Sequence, residues 1–302
     1  MTLLTLNTLS NETISTKEEV DELLLQLVYG IKDFLSYKEY KGSRFYTEEK
    51  DIHNFEIISD YKFKDAIKSL KREIVDFFSH FVDKQCDSNC LNEITDKEME
   101  NILDADFYFD NEPYNGQKYI ILSYCLEKRT FLLSFGTKKW IDYKIIANKV
   151  KEDGSSEKVI LNNIANKEHV KQHYDEKQFS KLLQKSTIFY SEGFKVWFFA
   201  RNSSDIEKII EKINFAIDNE YSRRDAGIGK IDSEEIPNLY EIVVGNSTES
   251  GNSAIRVFFK EFKSITHFFY GFIKHNEQGL SYQEAGHISN ALTIIKAEKL
   301  FI

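Results

Sequence analysis

Residues 239–275, LYEIVVGNSTESGNSAIRVFFKEFKSITHFFYGFIKH, decide the architecture of the C-terminal part of the chain. Three runs rich in aromatic and β-branched residues are separated by the polar stretch GNSTESGNSA and by the charged KEFKS. That pattern predicts three successive strands. In the first, Leu239, Glu241 and Val243 face one way and Tyr240, Ile242 and Val244 the other. Upstream, SDIEKIIEKINFAIDNEY has helical periodicity, with Ser204 or Asp205 as its cap, and GFKVWFFA reads as a strand. Downstream, SYQEAGHISNALTIIKAEKL reads as a closing helix. A helix early and three antiparallel strands late make an α+β pattern.

Outward from this region, the first hundred residues read as helical. Ser15 and Glu18 fit a capping box ahead of Val20, Leu23, Leu24, Leu27, Ile31 and Phe34. FKDAIKSLKREIVDFFSHFVDK carries a second amphipathic stripe, and Thr95 caps a shorter helix. After Asp104 the character becomes β-rich. Tyr119–Leu126 and Thr130–Phe135 flank the turn EKR as an expected hairpin, KEDGSSEK is a loop or hairpin tip, and EKVILNNI is a further strand. Lys167–Lys185 returns to helix. The composition changes near Ser186, so the expected division is a region 1–185 and a domain 186–302. A chain of 302 residues suits two modest domains.

Lys plus Arg total 40 against 49 Asp plus Glu, a net charge of -9. That excludes a general nucleic-acid coat but leaves room for a local basic pocket. No apolar run approaches the roughly 20 residues of a membrane span. The N-terminus lacks the basic and apolar segments of a signal peptide. Three cysteines, Cys86, Cys90 and Cys125, suit a reducing compartment, and the expected location is cytoplasmic.

The words NLYEIVV, IRVFFKEF, FFYGFIKH and ISNAL, in that order, resemble the RelE/HigB-type toxins of bacterial toxin–antitoxin pairs. FKVWFFARNSSDIEKIIEKI is similar to that family's opening strand and helix. The resemblance spans roughly residues 190–300. It implies metal-independent mRNA cleavage linked to the ribosome, with no cofactor, and a growth-arresting effector of stress response or phage defence. The catalytic positions it implies are Arg256, Lys274 and His275. Tyr270 stands where the family places a histidine. Arg223, Arg224 and Lys260 could extend the cationic surface that binds RNA. RNA cleavage asks little more of a protein, because the 2′-hydroxyl is the nucleophile and the site need only orient it and neutralise charge. The run of lysines that ends this strand in the family is replaced by HNEQG. Residues 190–302 hold 13 Lys plus Arg against 16 Asp plus Glu, a local charge of -3. This acidity supports the alternatives: a catalytically silent module that docks a protein partner, or an acidic antitoxin or immunity protein.

Other motifs read as structural. His169 and His173 in HVKQH lie at i and i+4 without the glutamate of zinc hydrolases, which points to a solvated helix face. Cys86 and Cys90 lack a second ligand pair and read as free thiols on a helix end and loop. AGIGK at 226–230 lacks the spacing of a phosphate loop. Asp110, Glu112, Glu127 and Lys128 do not form a nuclease triad, since adjacent strand residues point to opposite faces. No metal site is expected.

Overall fold

The computed structural model describes residues 3–47, 49, 51–87, 94–109, 120–183, 188–219, 221, 227–248, 253–275 and 280–301. The chain divides into two compact units, Met1–His173 and Tyr174–Ile302. The first contains β1 (Leu3–Leu6), α1 (Lys17–Ser36), β2 (Arg44–Tyr46), β3 (Glu56–Ile58), β4 (Tyr61–Lys62), α2 (Phe63–Ser69) and α3 (Arg72–Gln85). It continues with β5 (Cys86–Asp87), α4 (Asp96–Leu103), β6 (Ala105–Phe109), α5 (Ile120–Lys128), β7 (Phe131–Leu133), β8 (Lys144–Lys151) and β9 (Ser156–Ile164). The helix α6 (Lys167–Leu182) contains the division. The second unit holds β10 (Ile188–Tyr190), α7 (Glu192–Phe199), α8 (Ser203–Asp218), β11 (Ile228–Ile231), β12 (Leu239–Asn246), β13 (Ser253–Phe262), β14 (Ile265–His275) and α9 (Leu280–Ala297).

Helices and strands mix throughout; the described elements before residue 104 are mostly helical and those of residues 105–164 mostly strand, but one sheet joins the two regions. That sheet has the order β5-β2-β1-β7-β9-β8-β6. The pairs from β5 through β9 are parallel, and β9, β8 and β6 pair antiparallel. Three of its parallel strands lie within the first ninety residues. They are two to four residues long, too short to show a period. The segment 119–126, expected as a strand, lies largely in α5. Its run of Ile121, Leu122, Ser123, Tyr124 and Cys125 is buried, so no polar face reveals the helix. Glu127 and Lys128 therefore end a helix, where Lys128 Nζ binds Glu98 at 2.8 Å. The stripe after Phe63 is broken at Leu70 into α2 and α3. The α1 cap is Thr16, whose side chain accepts from Glu19 N–H, one residue beyond the expected box. Thr95 forms the full capping box of α4.

At the carboxyl ends of β1 and β7, Asn7 Nδ2 donates to Ser134 Oγ at 2.9 Å. Ser10 Oγ donates to Asn7 O and accepts from Phe135 N–H. Asn7, Ser10 and Ser134 are fully buried. These groups satisfy one another and clasp two loops.

His169 is not on a solvated face. It is 5% exposed, and its ring nitrogens meet the carbonyls of Asn163 at 3.1 Å and Ile141 at 2.7 Å. Burial, its largest influence, lowers its pKa below the usual 6.5 against the opposing pull of those carbonyls. Cys86 lies in β5 rather than on a helix end; Cys90, Asp110 and Glu112 fall outside the described residues. Among the described residues, no group of three or more His, Cys, Asp or Glu is placed to hold a metal ion. No helix among them is long and apolar enough to cross a membrane.

The second unit is built on a five-stranded sheet of order β10-β14-β13-β12-β11. β11 to β14 run antiparallel to their neighbours, and β10 joins β14 in parallel. GFKVWFFA, expected as a strand, lies mostly in α7. Ser191 caps it by accepting from Phe194 N–H, and Phe194 and Phe198 at i and i+4 enter the core. Aromatic residues raise strand propensity, but here tertiary packing overrides it. The segment matched to a toxin-like opening strand is thus helical, and the strand lies just before it. Asn202, not Ser204 or Asp205, caps α8.

Candidate functional site on the C-terminal sheet

The three long strands align the expected site residues. Arg256 pairs with Val243 on one side and Phe272 on the other, and Lys274 pairs with Ala254. Alternation puts Ile255, Val257 and Phe268 against α7 and α8, in a core with Phe194, Phe198, Ile206, Ile209 and Ile213. The opposite face carries Arg256, Phe258, Tyr270, Phe272 and Lys274. There Phe258, Phe269 and Phe272 pack with Ala291, Ile288 and Leu292 of α9. A bulge opposite Phe258 and Phe259 adds Phe269 to β14 and shifts the strand's alternation. Gly271, on the α7 face, lies against the Trp197 ring; a Cβ there would stand 2.2 Å from it.

Arg256 is ion-paired with Glu241, its diagonal neighbour on β12. Both side chains are largely buried, and the Arg256 Nε has no partner among the described residues. Lys274 is 4% exposed. The Tyr270 hydroxyl lies 3.2 Å from His287 Nδ1 and accepts a hydrogen bond from Asn290 Nδ2, also at 3.2 Å. The His287 ring stacks on Phe272, with centroids 3.8 Å apart. A phenol and an imidazole in contact can pass a proton.

Arg256, Tyr270 and Lys274 thus share one sheet face. Lys260 is on that face but further along, facing His267 across the strand pair, with its ammonium 5.0 Å from the Phe301 centroid. His275 ends β14, and its side chain is outside what the structure describes, as are Arg223 and Arg224. Sequence reasoning missed Glu241, His287 and Asn290. Glu241 was within reach, because strand alternation sets it on the face opposite to Ile242. His287 and Asn290 depend on how α9 rotates over the sheet.

Asp205, in the first turn of α8, holds the connection after β12. Its carboxylate accepts from Ser247 Oγ at 2.6 Å and from Thr248 N–H and Oγ1 at 2.9 Å each. Burial alone would raise its pKa; the Ser247 and Thr248 hydrogen bonds outweigh that and hold it below the usual carboxylate value. This clamp fixes the end of β12 against α8.

No family model, curated protein or solved structure matches the chain.

Proposed function

We propose that the C-terminal unit is a metal-independent endoribonuclease of the RelE/HigB type, a growth-arresting effector acting on mRNA at the ribosome. The observation that carries this reading is the Tyr270 hydroxyl–His287 Nδ1 contact of 3.2 Å, on the sheet face that also bears Arg256 and Lys274. In this reading the His287–Tyr270 pair removes the proton from a 2′-hydroxyl. The freed oxygen attacks the adjacent phosphorus, and the bond to the 5′-oxygen breaks. The leaving 5′-oxygen takes that proton back from the pair, giving a 2′,3′-cyclic phosphate and a 5′-hydroxyl. Arg256 and Lys274 balance the added charge on the phosphorane.

The test is mRNA cleavage in a translating extract by the full chain. Wild type cleaves with and without a chelator. His287→Ala loses roughly 100-fold or more, the scale of acid–base catalysis. Arg256→Ala with Lys274→Ala is inactive. Wild type without cleavage, or His287→Ala at the wild-type rate, rejects the reading.

A second reading is a catalytically silent module that docks a protein partner. It is supported by the Arg256–Glu241 pair and the 4% exposure of Lys274, which engage both cations within the fold. Under it, expression leaves growth and bulk translation untouched.

A further inference from the structure

At the end of the C-terminal sheet, beside the β13–β14 turn, lies a second aromatic cluster. β10 brings Phe189 into register with His267 of β14, and their ring centroids are 5.0 Å apart. His267 is flanked by Phe301 at 5.1 Å and Phe262 at 6.2 Å, both edge-on. Lys260 stands over Phe301 at 5.0 Å and Lys263 over Phe262 at 4.8 Å. Phe189 is 40% exposed although it sits within this packed group. The turn residues Lys263 and Ser264 both have positive φ, 50° and 62°, which fixes the hairpin end tightly.

We propose that this cluster is a stacking platform for the bases of single-stranded RNA. The proposal takes its substrate class from the RNA reading above and does not depend on cleavage. Three features carry it. An exposed ring backed by further rings offers a rigid π-surface, and every base has a π-face to place on it. Lys260 and Lys263 place positive charge beside the rings, 5.0 and 4.8 Å from the Phe301 and Phe262 centroids, where the phosphates of a stacked strand would pass. Finally, His267 precedes Tyr270 by three residues on one strand, about 10 Å at ordinary strand rise, so a stacked strand lies next to the Tyr270–His287 pair.

The experiment is fluorescence anisotropy with a 5′-labelled 12-mer of oligouridylate, using the full chain carrying His287→Ala so that the probe stays intact. A 12-base-pair RNA duplex is the control. The single strand binds, and the duplex binds at least tenfold more weakly. Phe189→Leu, which keeps the packing but removes the π-face, weakens binding roughly tenfold, the scale of one lost base stack. Lys263→Gln also weakens it. A plot of log K against log salt has a slope of about -1.4, as two phosphate contacts on a single strand require. Thermal melts check that both variants are folded. Absent single-strand binding, equal binding of the duplex, or full binding by a folded Phe189→Leu protein overturns the platform. If His287→Ala binds as expected while wild type never cleaves, the cleavage reading falls and the platform stands. If wild type cleaves and Phe189→Leu cleaves with unchanged KM, the reverse holds.

Discussion

His169 and His267 set the pH response of the fold at the residue scale. Burial is the largest influence on both, and each has a pKa lowered from 6.5. Both residues bind a proton less readily folded than unfolded. Well above pH 6.5 both are neutral in the folded and the unfolded chain, so neither makes stability depend on pH there. Stability is lost as pH falls below 6.5 and through the depressed folded-state values. Asp205 acts lower: its contribution is present above the ordinary aspartate value of 3.8 and is lost below it. The urea midpoint should therefore be lower at pH 5 than at pH 7.5, and His267→Phe should narrow the gap. Equal midpoints for wild type at both values would reject this. At the same scale, alternation along β14 sets Tyr270 and Lys274 on one face, and the register of β13 against β14 adds Arg256 to it. The states of these residues were not legible in the sequence. The Glu241 ion pair and the burial of Lys274 arise from neighbours that spacing cannot place.

Among elements, the contact between α7 and β14 is the most sharply specified. Gly271 leaves room for the Trp197 ring, and an added Cβ would need the ring or the strand to move. Gly271→Ala should cost about 1–3 kcal/mol or more, as overpacking does. Trp197→Leu removes the obstruction, so the double variant should lose less than the sum of the two single losses. Additive losses in urea denaturation would sink the argument. The same contact explains why α7 was hidden. Its aromatic run reads as a strand, and the reason it is a helix lies in the Ser191 cap and in the glycine that receives Trp197. α5 was hidden by the opposite cause, burial of nearly its whole middle. β12, β13 and β14 were legible because they are long, rich in aromatic and β-branched residues, and separated by polar segments.

Across the whole molecule, each unit carries one of the two tryptophans. Trp140 is buried in a core with Leu132, Phe109 and Tyr124. Trp197 packs against the core of the second unit. Single-tryptophan variants, Trp197→Phe and Trp140→Phe, therefore report the units separately. Leu132→Ala should cost about 2–5 kcal/mol by opening a cavity in the first core. The transition seen through Trp140 should move to lower denaturant while that seen through Trp197 stays. A parallel shift in both signals would show that the units unfold as one.

The sequence by itself determined the C-terminal meander, the helices α6 and α8 and the strand β9. Each follows from a local period or cap, which the chain carries wherever it goes. Tertiary structure alone decided the parallel sheet of the first unit, the helical state of α5 and α7, and the meeting of His287 with Tyr270. Those depend on which buried surface covers a short or uniformly apolar segment, and on contacts between residues far apart in the chain.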